Sequence, residues 1–340
     1  MAICLLCKKN EADQSGSHIL TAWITASIFD QQGRNRDYEL IFKLTTLAQN
    51  ENFFGRSVLP EKIEEELGRE LTDTEKENQK NDLVRDFIFC KICEKKFKVV
   101  EDYFKSIHLE LDKKIIPENI EPDITRLFFY SLLWRASVLK FQNFSISEKI
   151  NESLRNILNN NLEQTLNETI EKTTQDNTIR SYPLAIIKTP KPEQTTSNLI
   201  FLHPSLSMPY MCFINDYIVL FYERNTHVNS RFRKLFLMDG LVFPYSITNY
   251  NETKFYIDFM TGNKWLIIKT KLIDEMVYNM FDNLILMYKE MFKKNFYTYP
   301  TKQNEQMFLN YLVGSNRRIG DKYSKEAIID AMNKSIGKSK

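Results

Sequence analysis

The chain predicts an α+β fold in two parts: a small N-terminal domain over residues 1–116, and a larger α+β domain over residues 117–340. Three observations predict it. Two Cys-x-x-Cys pairs, Cys4/Cys7 and Cys90/Cys93, bracket the N-terminal part, hydrophobic residues recur at helical spacing over 123–173 and again over 272–336, and between them the pattern changes to short β-branched and aromatic runs. With 340 residues, 43% of them hydrophobic, the chain has ample material for folded cores.

A two-residue gap lets both sulfurs of a pair reach one metal at about 2.3 Å, and two pairs complete a tetrahedron. Cys4, Cys7, Cys90 and Cys93 are therefore expected to hold a structural Zn2+. The alternative is that the four act as small buried hydrophobes, for which cysteine is well suited. Cys212 is the remaining cysteine. With no basic segment leading into an apolar run at the start, this argues against a secreted disulfide scaffold and for a reduced, cytoplasmic location. The longest apolar stretch, over 127–138, is interrupted by Tyr130, Ser131 and Arg135 and falls short of the roughly 18 residues a membrane span needs. No membrane partner is expected.

Along the N-terminal part, residues 19–29 have helical spacing with Trp23 and Ile24 on the apolar side, and residues 38–47 read as a strand or hairpin arm. Residues 60–83 are charged and loop-like, with Thr72 and Glu75 spaced as a capping box. Phe87-Ile88-Phe89 reads as a short strand leading into Cys90. After Cys93, the positions Phe97, Val100, Phe104, Ile107 and Leu111 mark an amphipathic helix of about four turns. Knuckle, strand, second knuckle and helix is the order of a treble-clef zinc finger.

In the larger part, residues 123–141 predict a strongly apolar helix, and residues 147–173 a second, polar-faced one, which together suggest a helical hairpin. Strands are expected at 184–189, 198–202, 210–214, 217–222, 235–238, 255–260 and 265–269. Turns at Asn215-Asp216 and Thr261-Gly262-Asn263 would make the neighbours antiparallel hairpins. Helices follow over 272–292, 303–312 and 324–336.

Forty-six Lys plus Arg against forty-four Asp plus Glu leave no global field that would advertise a nucleic-acid partner, so any basic surface must be local. Neither a GxxxxGK[ST] loop nor a GxGxxG fingerprint occurs, which argues against a P-loop ATPase or a dinucleotide enzyme. Candidate phosphate contacts are Arg34, Arg36, Lys95 and Lys96, with Lys98, Arg231, Arg233, Lys234, Arg317 and Arg318 as further cations.

Ser17-His18-Ile19 follows the first knuckle and Glu94 follows Cys93 directly. This constellation resembles the zinc-containing, treble-clef HNH endonucleases, in which an Asp-His-Ile motif follows the first Cys-x-x-Cys and a His follows the second. The resemblance implies a ββα-metal fold, His18 as general base on a water attacking phosphorus, and Glu94 as ligand of a catalytic Mg2+ or Mn2+. Ser17 stands where the family has its carboxylate ligand, Glu94 where it has the helix His, and Arg85 where it has the strand Asn; Asp86 and Glu101 are nearby substitutes. Ser17-His18-Ile19, Cys90-Lys91-Ile92-Cys93-Glu94 and Leu133-Trp134-Arg135-Ala136-Ser137 are also similar to a divergent group of bacterial HNH-like proteins, which implies a role in antiphage defence. Two expectations stay open at this point. One is a metal-dependent nuclease acting on DNA or RNA; the other is a catalytically inactive, zinc-stabilised module binding nucleic acid or protein. The larger domain would recruit a protein partner. His18 has a plainer reading as a cap or hydrogen-bond partner of the knuckle, and Glu94 is favoured at a helix start whatever its role.

Overall fold

The computed structural model describes residues 2–26, 40–44, 50–54, 70, 72, 83–115, 120–189, 199–202, 209–228, 245–313 and 325–336. The elements run β1 (Ser17–His18), α1 (Ala22–Ala26), β2 (Leu40–Leu44), β3 (Asn50–Phe54), β4 (Val84–Arg85), α2 (Lys91–Asp112), α3 (Pro122–Val138), α4 (Glu148–Asn161), α5 (Leu166–Gln175), β5 (Leu184–Lys188), β6 (Leu199–Leu202), β7 (Tyr210–Asn215), β8 (Tyr217–Phe221), β9 (Ile257–Phe259), α6 (Gly262–Phe296), α7 (Lys302–Val313) and α8 (Lys325–Ser335). The chain is a mixed α+β protein. It forms two compact units, one of residues 1–36 and 82–266 and the other of residues 37–81 and 267–340.

In the first unit the cysteine region and the large sheet share one hydrophobic core, which runs from Cys4 and Leu6 through Phe97, Phe104 and Trp134 to Phe221 and Ile257. That core spans residues on both sides of position 116. At its centre lies α3, whose residues from Asp123 to Ser137 are all buried. Its start follows from Pro122, whose fixed φ suits a first helical position, and from Asp123 in the first turn, where a negative charge meets the helix dipole. Helices α2, α4 and α5 all contact it. Two arginines are buried within it, Arg126 and Arg135. Nine residues at 3.6 per turn place them on opposite sides of the helix. Arg126 donates to the carbonyls of Tyr182 (3.3 Å), Asn249 (3.2 Å) and Glu252 (2.9 Å) on the sheet side.

The sheet has the order β6-β7-β8-β5-β9. Every residue of β5, β7 and β8 is buried, which is why these strands read as continuous apolar runs rather than alternating ones. The expected turn at Asn215-Asp216 joins β7 to β8, with Asn215 in the left-handed region at φ 58°, where asparagine is among the better tolerated residues. The sheet departs from the expected all-antiparallel form at one edge: β9 pairs parallel to β5, Ile186 facing Ile257 and Lys188 facing Phe259.

Three further expectations are corrected. Residues 265–269 lie in α6, and Thr261-Gly262-Asn263 opens that helix instead of turning a hairpin, the Trp265 amide bonding to the Thr261 carbonyl at 3.0 Å. A short apolar run is ambiguous between strand and buried helix, and here its unbroken continuation to Phe296 settles it. The polar-faced helix over 147–173 is two helices, because Leu162 adopts extended backbone after α4 (ψ 129°) and Thr165 caps α5 by accepting from the Glu168 amide. Phe87-Ile88-Phe89 is a bent segment with Phe87 at φ 57°, not a strand. Helix α2 is longer than expected because it starts at Lys91, within the second cysteine pair, and runs to Asp112. The strand expected at 235–238 and the capping box at 72–75 lie outside the described residues, except for the isolated Thr72.

In the second unit, β2 and β3 form an antiparallel hairpin, with Leu40 opposite Phe54. Leu284 and Tyr288 of α6 pack with Phe308 and Leu312 of α7 and with Ile328, Ala331 and Met332 of α8 into a separate core. Tyr288 stacks on Phe308 with centroids 4.6 Å apart, and its hydroxyl accepts from Ser335 Oγ at 2.9 Å.

Candidate metal centre and its surroundings

The first knuckle is a tight loop closed at its base by a bridge between Ile3 and Glu11. The Cys4 amide donates to the Asn10 carbonyl (2.9 Å), the Lys8 amide to the Cys4 carbonyl (3.0 Å), and Lys8 turns the corner at φ 56°. From α4, Arg155 Nη1 donates to the Leu6 carbonyl at 2.8 Å and fastens the loop from outside. The second pair sits at the start of α2. Cys90 occupies the N-cap and Cys93 the first turn, while Asp13 supplies the cap Cys90 lacks by accepting from the Lys91 amide at 2.9 Å. Two backbone bonds knit the pairs together: Leu5 N to Ile88 O at 3.0 Å and Gln14 N to Phe89 O at 3.1 Å.

The four sulfurs of Cys4, Cys7, Cys90 and Cys93 lie within 4.8 Å of one another. A tetrahedral zinc with bonds of about 2.3 Å has sulfurs spaced at about 3.8 Å, so the cluster can close on one ion with small side-chain adjustments. Asn10 stands where a supporting hydrogen-bond donor belongs, its amide 3.5 Å from Cys7 Sγ and its side-chain nitrogen 3.6 Å from Cys90 Sγ. The hydrogen bond with Cys93 pulls Cys4 down to about 4, while Cys4, burial and Cys90 push Cys93 up. As thiolates, four groups so close, three of them buried, would repel one another unless a cation lay among them. These residues could hold zinc.

Beside this cluster, β1 and β4 form a short antiparallel ribbon, with Ser17 opposite Arg85 and His18 opposite Val84. The ribbon is fixed to α2 by Ser17 Oγ, which donates to Glu94 Oε2 at 3.1 Å. Glu94 is half-buried, and burial pushes its carboxyl up against the opposing pull of Arg135 and Ser17. His18, also half-buried, is held through its backbone, its carbonyl accepting from Arg135 Nη1 at 3.0 Å. Arg135 Nη2 donates to Glu101 Oε1 at 2.5 Å, and the guanidinium lies over the Phe97 ring at 5.0 Å. Asp86 accepts from the Gly16 amide at 2.6 Å. Among the described residues, the two groups of three or more His, Cys, Asp or Glu with converging ligand atoms are the four cysteines and His108, Asp112 and Asp216. His18, Glu94 and Glu101 belong to neither.

The second group encloses a cation of its own. Lys188, 3% exposed, lies 2.9 Å from Asp112 Oδ1 and also bonds Asp216, while His108 is 3.4 Å from Asp112 through Nε2 and 2.7 Å from the Tyr217 hydroxyl through Nδ1. This buried ion cluster ties the end of α2 to β5 and to the β7–β8 turn. Sequence reasoning missed it, although a lysine inside the apolar run Leu-Ala-Ile-Ile-Lys and an i,i+4 His-Asp pair were signals of it.

Of the candidate phosphate contacts, Arg34 and Arg36 lie outside the described residues, as do Arg231, Arg233, Lys234, Arg317 and Arg318. Lys96 is half-buried in an ion pair with Glu163 at 3.1 Å. Lys95 is exposed, and it is one of a series: Lys91, Lys95, Lys98, Asp102 and Lys105 follow one another at four- and three-residue steps along the exposed side of α2. At 1.5 Å per residue this stripe is about 21 Å long. The opposite side carries Cys93, Phe97, Val100, Phe104, Ile107 and Leu111 into the core. Lys8 and Lys9 add two exposed cations on the first knuckle. No helix among the described residues is long and apolar enough to cross a membrane.

Comparison with known proteins finds no family model that matches the chain, no significantly similar curated protein and no significantly similar solved structure.

Proposed function

We propose that residues 2–26 and 83–112 form a zinc-held treble clef of the HNH type, and that the protein binds nucleic acid along the exposed side of α2. The lysine stripe carries this reading. Four lysines in register on one face, with Asp102 among them and Asp13 paired to Lys91 at its start, leave Lys95, Lys98 and Lys105 to meet a row of phosphates, and that face is the one the core leaves free. The zinc would act by fixing the start of α2, and so the bearing of the stripe, against the rest of the first unit. Fluorescence anisotropy with labelled oligonucleotides tests it. Lys95→Ala and Lys98→Ala should each weaken binding across sequences, and each should reduce the slope of log affinity against log salt by about 0.9. Binding unaffected by these replacements sinks the reading.

The second reading, a metal-dependent nuclease, has one observation in its favour: Ser17 and Glu94, which stand at the ligand positions of the family resembled, face each other directly. Glu94 would then hold Mg2+ or Mn2+ and His18 would take a proton from the attacking water. For that, Glu94 must release Ser17. Because the two side chains satisfy each other here, we rank hydrolysis below binding. Cleavage of plasmid and single-stranded substrates with either metal, absent in His18→Ala and in Glu94→Gln, would reverse that order. A role in antiphage defence, and a protein partner for the remainder of the chain, rest on the family resemblance alone.

A further inference from the structure

Among the described aromatics near the cysteines, Phe87 stands out. It is 58% exposed, whereas Phe89 and Phe97 close by are buried. It also holds a left-handed backbone at φ 57°, a conformation that bulky L-residues rarely adopt and that persists only where the surroundings impose it. Those surroundings are on both sides: the Phe87 amide donates to the Gln14 carbonyl at 2.8 Å, the next carbonyl, of Ile88, accepts from Leu5, and the preceding carboxylate, of Asp86, accepts from Gly16. The ring is thus presented to solvent on a backbone that cannot easily withdraw it.

Its position relative to the lysines follows from their shared anchors. Phe87 is bonded to Gln14, and Lys91 is bonded through both its amide and its ammonium to Asp13, the residue before. Phe87 and the first lysine of the stripe are therefore anchored to consecutive residues of one segment, the Lys91 ammonium lying 3.6 Å from the Asp13 carboxylate. Ile92, 47% exposed, adds apolar surface at the same end of α2. An exposed aromatic at the head of a row of cations is the arrangement by which proteins hold single-stranded nucleic acid: bases stack on the ring, and phosphates run along the charges. In a duplex, the base faces are already stacked on each other and the ring has nothing to receive.

We infer that Phe87 is a base-stacking platform and that the ligand of the α2 face is single-stranded or locally unpaired nucleic acid. This rests on the nucleic-acid reading proposed above. The test measures binding of the full zinc-loaded chain to single-stranded and duplex oligonucleotides of equal length, in DNA and RNA forms. Wild type should prefer the single strand. Phe87→Ala should lose about tenfold on it with little change on the duplex, Phe87→Tyr should retain binding, and Phe87→Leu, which keeps apolar bulk without a π face, should behave like alanine. Zinc content and thermal unfolding confirm that each variant is folded; if alanine disturbs either, the tyrosine and leucine pair decides. Equal single-strand binding by the Phe87→Leu and Phe87→Tyr proteins, or a preference for duplex, overturns the inference. If the lysine variants still weaken binding in that case, the nucleic-acid reading survives without it. If neither set has any effect, both fall.

Discussion

Arg135 reaches across 117 residues of sequence to donate its Nη1 to the carbonyl of His18 at 3.0 Å, while its other nitrogen holds Glu101 of α2. One buried guanidinium therefore sets the spacing between the β1–β4 ribbon and the helix that starts at the cysteines.

Removing that guanidinium leaves a carboxylate and a carbonyl facing each other in a largely dry site. Arg135→Met should destabilise the first unit by about 3 kcal/mol, the range for breaking one side of a buried ion pair. Combining it with Glu101→Gln should recover a substantial part of the loss. Equilibrium urea unfolding gives both values; a single variant indistinguishable from wild type would show that the pair carries no net stability.

The cysteine cluster should bind one zinc per chain. Cys4→Ser and Cys93→Ser should abolish it and, because metal binding and folding share one free energy, unfold the region around the knuckles. Cys212→Ser should leave the zinc in place, since Cys212 is buried in β7 and its thiol is pushed up by burial alone. Elemental analysis with circular dichroism distinguishes these outcomes. Equal zinc content in wild type and Cys93→Ser would refute the site.

Lys188 neutralises two buried carboxylates at once, from α2 and from the β7–β8 turn. Lys188→Met should cost about 3–5 kcal/mol, because both acids lose their counter-charge in a buried setting. Adding Asp216→Asn should restore part of that. Chemical denaturation of the two variants checks it, and additivity of the separate effects would show that the groups are not coupled.

Asp13 caps α2 from another segment, and the Lys91 amide holds its carboxyl below the ordinary value of 3.8. A depressed acid contributes stability that is fully present above its unfolded value and is lost as the pH falls through the lower folded one. The drop in thermal stability caused by Asp13→Asn should therefore stay constant from pH 8 to about pH 5 and shrink only in more acidic solution. A drop that already diminishes between pH 8 and pH 6 would have to come from another group.

How far these features could be read in advance depends on how local their causes are. The two Cys-x-x-Cys pairs, the 4,3,4,3 apolar spacing after Cys93 and the Asn215-Asp216 turn are each decided within a few residues, and each was legible. The lysine stripe was only partly so: Lys95, Lys96 and Lys98 are one run in sequence, but the helix turns Lys96 toward Glu163 and sets Lys95 and Lys98 in line with Lys91 and Lys105. The parallel edge of the sheet and the long α6 depend on tertiary context. Trp265 to Lys269 carry the same apolar run whether paired or wound, and only the residues beyond them decide. The partners that satisfy Arg126, Arg135 and Lys188 were not legible for the same reason, since they come from far away in the chain.

The two cysteine pairs have one more consequence, which concerns the chain between them. The segment from Cys7 to Cys90 contains residues 37–81, which belong to the second unit. A zinc ion joining the pairs would close this stretch into a ring of about eighty residues, and because closure entropy rises only with the logarithm of length, doubling such a ring adds only about 0.6 kcal/mol. Such a site would be nearly indifferent to the length of chain between its halves. The length of residues 37–81 could therefore change at little thermodynamic cost to a metal-joined pair of knuckles.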